Sequence, residues 1–278
     1  MGTSNGRVVL VTGASSGIGK ATAELLAREG FKVYGTSRKI SAGTSESICE
    51  YEKGFLKMIQ LDVCSEDSAA SAVEFILKEE GRIDILINNA GFGIAGAIEN
   101  TSTEEAQRQF DTNFFGMHRM CRKVLPVMRR QNQGIIINIG SVASIIPIPY
   151  QAFYSAAKAA LDAYSEALSM EVAGFGIKVC VIEPGDTRTG FTSNRIFAKD
   201  TSQDSPYYKN FTKSIKRMEH DEMNGPEPAA IARLILKCVR KKKPPLRVVA
   251  GGSYKLLALL KRILPVRLTV YIVSKLYG

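Results

Sequence analysis

The stretch VVLVTGASSGIGKATAELLA, residues 8–27, decides the fold. Its first four residues are apolar and mostly β-branched, the pattern of a strand buried on both faces. A helix follows near residues 17–29. Between the two lies a turn spaced Gly-x-x-x-Gly-x-Gly, in which Gly13, Gly17 and Gly19 leave the backbone room to bend sharply. With Ser15, Ser16 and Ile18 they make a loop that an anionic group can approach closely, facing the unpaired N–H groups and positive dipole end of the helix.

The same alternation continues along the chain. Apolar runs such as IDILINNAG, GIIINIGS and IKVCVIEPG place strands near 7–12, 32–37, 55–61, 83–88, 134–140, 177–183 and 246–250. Helices fall near 17–29, 66–80, 103–130, 152–173 and 227–240. This βαβ rhythm predicts an α/β fold: a Rossmann-type, doubly wound parallel sheet of seven strands with helices on both faces, in a single domain over 1–278. Residues 186–225, rich in Thr, Ser, Asp, Lys and Asn, lack strong apolar period and read as a lid over a substrate site. Pro226 and Pro228 mark the next helix start.

Of 278 residues, 45% are hydrophobic and 23% charged, which is ordinary for a soluble globular chain and argues against disorder or fibre. The net charge of +10 is concentrated: residues 209–278 carry 16 Lys/Arg against 4 Asp/Glu, whereas residues 1–208 carry 21 against 23. A basic excess confined to the last quarter argues against a nucleic-acid partner, which requires a basic stripe on a recognisable module. It leaves peripheral contact with an anionic membrane open. Five scattered cysteines (Cys49, Cys64, Cys121, Cys180, Cys238) form no Cys-x-x-Cys pair, which speaks for a reducing cytoplasm and against a disulfide framework. The opening MGTSNGRVVLVTG runs straight into an apolar strand without the charged n-region and h-region of a signal peptide, so none is expected there. His118 and His220 make no cluster, so no metal is expected.

The glycine turn closes the first βα unit, where doubly wound sheets bind dinucleotides. The second strand then discriminates between them. It ends in Ser37, Arg38 and Lys39, where an NAD site would carry an acid for the adenosine ribose hydroxyls. An arginine there can pair with the 2′-phosphate of NADP through two hydrogen bonds, whereas an acid would repel it. NADP(H) is therefore the expected cofactor, with NAD(H) less favoured.

Tyr154 and Lys158, in FYSAAK at 153–158, stand four apart and share a helix face. A free phenol titrates at ~10, and a cation one turn away favours its ionised form. Such a pair can exchange a proton with an alcohol or carbonyl oxygen. Ser141 closes the strand IINIGS 13 residues earlier, and a loop can bring its hydroxyl to the same oxygen. NNAG at 88–91 ends another strand and Asn113 lies in the helical FDTNFFG. All gather on one side of the sheet, where ligands bind.

TGASSGIG at 12–19, LDV at 61–63, NNAG at 88–91, Asn113, Ser141, YSAAK at 154–158 and PG at 184–185 occur in the order and spacing of the short-chain dehydrogenase/reductase family, which the chain resembles over roughly residues 5–250. The resemblance implies an oxidoreductase that passes hydride between nicotinamide and a carbonyl carbon without a metal. It implies that Tyr154 is the general acid/base, that Lys158 lowers its pKa and bonds the nicotinamide ribose, that Ser141 orients the substrate oxygen, and that Asn113 holds a water of the proton relay. It places Asp62 and Val63 at the adenine, Asn89, Ala90 and Gly91 beside the adenosine ribose, and Pro184, Gly185, Thr187 and Thr189 at the nicotinamide and phosphate end. A homodimer through the helices near 103–130 and 152–173 is implied too.

Around the site, SIIPIPYQAFY with Tyr150, GFGIAGAIE at 91–99, and the lid residues Phe191, Phe197, Tyr207, Tyr208 and Phe211 suggest a greasy cleft. The lid and the segment KPPLRVVAGGSYKLLALLKRILP resemble, more loosely, the subgroup of retinol dehydrogenases and 17β-hydroxysteroid dehydrogenases. That implies a small hydrophobic substrate: a steroid-, retinoid- or lipid-like secondary alcohol or ketone. A 3-oxoacyl thioester reductase, a general carbonyl reductase and a redox-inactive NADP(H) sensor are the alternatives, the last opposed by the complete Ser/Tyr/Lys set. Residues 253–277 hold Lys255, Lys261, Arg262, Arg267 and Lys275 and no acid. With Pro265 these charges rule against a membrane-spanning helix. Two short amphipathic segments remain, for which a bilayer surface, the cleft and a partner subunit are all open.

Overall fold

The computed structural model describes residues 6–40 and 48–278; the first five residues, part of the stretch read as lacking a signal segment, lie outside that range. The chain runs β1 (Val8–Val11), α1 (Gly17–Arg28), β2 (Lys32–Ser37), β3 (Ile48–Glu50), β4 (Phe55–Gln60), α2 (Glu66–Glu80), β5 (Ile85–Asn88), β6 (Ile94–Ala95), α3 (Thr103–Phe110) and α4 (Gly116–Arg130). It continues through β7 (Gly134–Ile139), α5 (Ala152–Glu171), β8 (Ile177–Glu183), β9 (Ile196–Phe197), α6 (Tyr208–Met223), α7 (Pro228–Arg240), β10 (Arg247–Val249), α8 (Gly252–Ile263) and α9 (Val266–Tyr277).

Eight strands form one sheet in the order β10-β8-β7-β5-β1-β2-β4-β3, and β6 pairs with β9 in a separate parallel ribbon. The seven expected strands are parallel, and β3 is an eighth that pairs antiparallel with β4. It escaped the sequence reading because it is three residues long and exposed at every position, so no apolar run reveals it.

Alternation along each strand divides the core. Val8 and Leu10 face α2, α4 and α5, packing with Ile76, Met120, Val124 and Leu161. Val9 and Val11 face the other way, against Leu26 of α1 and Ile231 and Ile235 of α7. Helix ends follow local chemistry: Ser65 caps α2 by accepting the Ser68 N–H at 3.2 Å, and Gly81 ends it at φ +69°.

The helix expected over 103–130 is continuous, with a π-helical turn, Asp111–Phe115, joining α3 to α4. One expectation about the lid needs correction. The lid contains α6, whose buried stripe is Phe211, Ser214, Ile215 and Met218. That stripe has helical spacing, but the charged residues around it mask the period.

The sheet order reverses at β1, which lies between β2 and β5. The carboxyl ends of β1, β2, β5, β7 and β8 open onto the crevice beside this point, the place where open α/β sheets hold ligands.

Candidate active site

A continuous cleft of about 790 Å³ runs along those strand ends. At one end lies the glycine turn. Gly13 and Gly17 have φ of +66° and +55°, values that a side chain makes costly. A Cβ on Gly19 would stand 2.3 Å from the Gly13 carbonyl oxygen and 2.4 Å from Asn89 Nδ2. That close approach lets the Asn89 amide donate to the Thr12 and Gly13 carbonyls at 2.9 and 3.0 Å. Thr12 Oγ1 in turn accepts the Asn89 and Ala90 N–H groups at 2.9 and 3.0 Å, so the turns after β1 and β5 are tied together. Thr12 was not singled out from the sequence, though it opens the TGASSGIG motif.

Ser15, Ser16, Gly17 and Ile18 line the cleft with Gly13, while Gly19 is buried behind them. The Ser16 side chain makes no capping bond to α1, which leaves first-turn N–H groups for a ligand. Ser37, Arg38 and Lys39 line the rim, the last two exposed. Asp186 and Glu222 are the acids lining the cleft among the described residues, and neither belongs to the β2 tip.

Val63, Asn89, Ala90 and Gly91 wall the next stretch. Asp62 does not reach it: Oδ1 accepts the Cys64 N–H at 2.9 Å and the Asp62 N–H donates to Ser68 Oγ at 3.0 Å, so this residue shapes the turn into α2. Asn113 is buried outside the cleft. It donates to the Phe92 carbonyl at 2.9 Å and accepts the Phe92 N–H at 3.1 Å, fastening the loop after β5.

Tyr154 and Lys158 stand one turn apart on α5, with Lys158 Nζ 5.8 Å from the tyrosine ring centroid. Ser141, just beyond β7, lines the cleft with them. Its Oγ accepts the Ala143 N–H at 3.1 Å. Lys158 is buried and donates to the Ile139 carbonyl at 2.7 Å. Burial brings its ammonium down to about 8, with Asp162 opposing. Burial also pushes the Tyr154 phenol up to about 12; the Ser141 hydroxyl and Arg195 pull it down, and Glu222 pushes it further up. Lys158 is not among the groups that move the phenol in this arrangement. The phenol keeps its proton at neutral pH.

Behind this group lies a buried carboxyl pair, Asp162 and Glu183. Burial first, then Asp162, raises Glu183 to about 7. Arg247 approaches both carboxylates at 3.5 Å, and Ser144 donates to Glu183 at 3.4 Å. The pair braces the loop after β7 from beneath.

Pro184, Gly185, Thr187 and Thr189 line the far wall. The Tyr254 ring of α8 lies over Gly185, where a Cβ would meet it at 2.1 Å, and its hydroxyl donates to Asp186. Tyr277 of α9 donates to Asp221 of α6 at 3.3 Å. The tail is thus pinned across the cleft, and Leu257, Leu260, Leu264, Ile272 and Leu276 form its roof. Of the lid aromatics, Phe191 alone lines the cleft, its ring 5.5 Å from that of Tyr154. Phe211 is buried against Tyr150, and Phe197 and Tyr207 are exposed. Phe92, Ile146 and Ile148, from the apolar runs expected to line it, do so, and the tail adds the rest of the greasy wall. Beneath Phe191 the fully buried Arg195 side chain pairs with Glu222.

A glycine-turn nucleotide site joined to a Ser/Tyr/Lys group defines a dinucleotide-dependent oxidoreductase, and residues 7–199 match the short chain dehydrogenase family. The chain belongs to that family. It is 47% identical over 251 residues to 3-ketodihydrosphingosine reductase of Bacteroides thetaiotaomicron, covering 90% of each chain. It is 33% identical to retinol dehydrogenase 8 of Bos taurus, over 93% of this chain and 86% of that one. The crystal structure of a short-chain dehydrogenase from Streptomyces avermitilis is similar over 99% of this chain and 98% of its own, with a TM-score of 0.80 and 33% identity.

Proposed function

We propose that this oxidoreductase reduces a ketone carried on a long hydrocarbon chain, with NADPH as hydride donor and Tyr154 as proton donor. The observation that carries the reading is the continuity of the cleft. Arg38 and the glycine turn lie at one end, Ser141, Tyr154 and Lys158 in the middle, and the apolar roof of the tail beyond them.

The residues fit the cofactor. Left-handed Gly13 and Gly17 and the uncapped start of α1 suit a pyrophosphate, and the exposed Arg38 fork suits a 2′-phosphate. Val63, Asn89, Ala90 and Gly91 would flank the adenosine, and Pro184, Gly185, Thr187 and Thr189 the nicotinamide. When bound, NADPH supplies the hydride that reaches the carbonyl carbon. Ser141 holds the carbonyl oxygen while the Tyr154 phenol, protonated at neutral pH, donates to it. Lys158, fixed by the Ile139 carbonyl, would bond the ribose. The tail roof excludes water from the transfer. Asp62 and Asn113 act at one remove, holding the turns that carry Val63 and Gly91.

The leucine-rich roof and the name of the 47% identical relative both favour a lipid-like ketone, with 3-ketodihydrosphingosine the first compound to try. The enzyme works in the cytoplasm as a homodimer through the outer faces around α4 and α5, where Phe115 and Met170 are exposed. NADPH and NADH oxidation followed in parallel with 3-ketodihydrosphingosine, a steroid ketone, retinal, a 3-oxoacyl thioester and small aryl ketones tests the reading. Turnover of the long-chain ketone with NADPH well above NADH is expected. Turnover of small ketones only, or equal rates with NADH, would refute it.

A further inference from the structure

We infer that α8 and α9 dock the enzyme on an anionic phospholipid surface, toward which the cleft opens. This rests on the proposed reduction of a lipid-like ketone and adds where that ketone is taken up. Leu256, Leu259, Ile263, Val266, Val270 and Tyr271 are 53–69% exposed, and none of them lines the cleft. Single exposed leucines are ordinary on a protein surface, but a dense group on two consecutive helices marks an interaction face.

The same segment carries the exposed Lys255, Arg262, Arg267 and Lys275 and no acid, while its fifth cation, Lys261, lines the cleft and donates to Thr269 Oγ1 at 3.3 Å. Apolar side chains interleaved with cations fit a bilayer, where the former enter the acyl boundary and the latter reach the phosphates. A second copy of this chain fits less well, because a two-fold interface would set these cations against themselves. No helix among the described residues is long and apolar enough to cross a membrane, so the contact is peripheral.

The cleft supplies the second line of argument. Leu257, Leu260, Ile272 and Leu276 line it and are also 37–52% exposed. These four side chains therefore present apolar surface both to the outside of the tail and to the cleft. An alkyl chain leaving a bilayer could follow it to Tyr154 with little exposure to water.

The test is sedimentation of the full chain with vesicles of phosphatidylcholine alone and of phosphatidylcholine mixed with phosphatidylglycerol. Each cation near an anionic surface is worth about fivefold in partitioning, so binding to the mixed vesicles should exceed binding to neutral ones by tenfold or more on the order of those contributions and fall as salt rises. Ile263→Asp/Val266→Asp and, separately, Arg262→Glu/Arg267→Glu should lose most of it. NADPH binding, followed by nucleotide fluorescence, and turnover of detergent-dispersed ketone should stay at wild-type levels in both. Equal binding to the two vesicle types, or none, overturns the docking proposal even where ketone turnover stands. So does dissociation of an oligomer by the aspartate pair, seen by light scattering, without vesicle binding by the wild type. Vesicle binding with no turnover of any lipid ketone sinks the proposed reaction and leaves docking in place.

Discussion

Replacing Lys158 by methionine separates what the ammonium costs from what it does. The side chain is buried, and its ammonium is held at about 8 against 10.5 for a free lysine. At about 1.36 kcal/mol per decade, keeping it charged at pH 7 costs about 3 kcal/mol of folding stability. Methionine fills a similar volume without charge but leaves the Ile139 carbonyl unpaired, a loss of about 1–3 kcal/mol. Lys158→Met should therefore match wild type at pH 7 or exceed it by up to about 2 kcal/mol, with turnover lost. The pH dependence is the sharper part. Because the folded pKa lies below the unfolded one, the folded chain binds fewer protons between about 8 and 10.5. The wild-type penalty is complete below that window and is lifted as pH rises through it. Methionine carries no such proton, so the variant's relative stability should fall by more than about 2 kcal/mol between pH 7 and pH 10. Urea unfolding of both proteins at the two pH values measures this. A difference that does not move with pH would show that Lys158 is not a buried, strained ammonium, and the argument would fail.

Arg38→Ala should reduce the preference for NADPH over NADH by roughly 10- to 100-fold, the worth of one bidentate charge-assisted contact, read as the ratio of kcat/KM values. Gly19→Ala places a Cβ 2.3 Å from the Gly13 carbonyl; overpacking of about 1–3 kcal/mol should appear in thermal unfolding together with weakened nucleotide binding. Leu264→Asp puts a charge in the cleft roof and should raise KM for a long-chain ketone by about tenfold or more, with a much smaller change for a short one.

The sheet was legible because strands buried on both faces are continuous apolar runs, and the glycine turn because only glycine tolerates its backbone. What the sequence hid was mostly non-local. Nothing in FDTNFFG says that the Asn113 amide is used on Phe92, 21 residues away, because that depends on where the loop after β5 passes. The Asp62 carboxylate is the local exception: it closes a turn on the Cys64 N–H two residues on, which LDV alone does not distinguish from a side chain facing the cleft. Arg195 and Glu222, 27 residues apart in a polar lid, read as solvated charges until folding buries them together. The amphipathic tail had three open destinations. The Tyr254 ring over Gly185 and the Tyr277 bond to Asp221 place it across the cleft, contacts that helical periodicity alone cannot specify.

The central claim is that the Tyr154 hydroxyl delivers the proton to a ketone oxygen. Its most direct test is NADPH consumption with 3-ketodihydrosphingosine by wild type and Tyr154→Phe, with nucleotide binding measured alongside. Removal of the proton donor should lower kcat by about 10²-fold or more while NADPH still binds. Turnover by the phenylalanine variant near the wild-type rate would contradict the account.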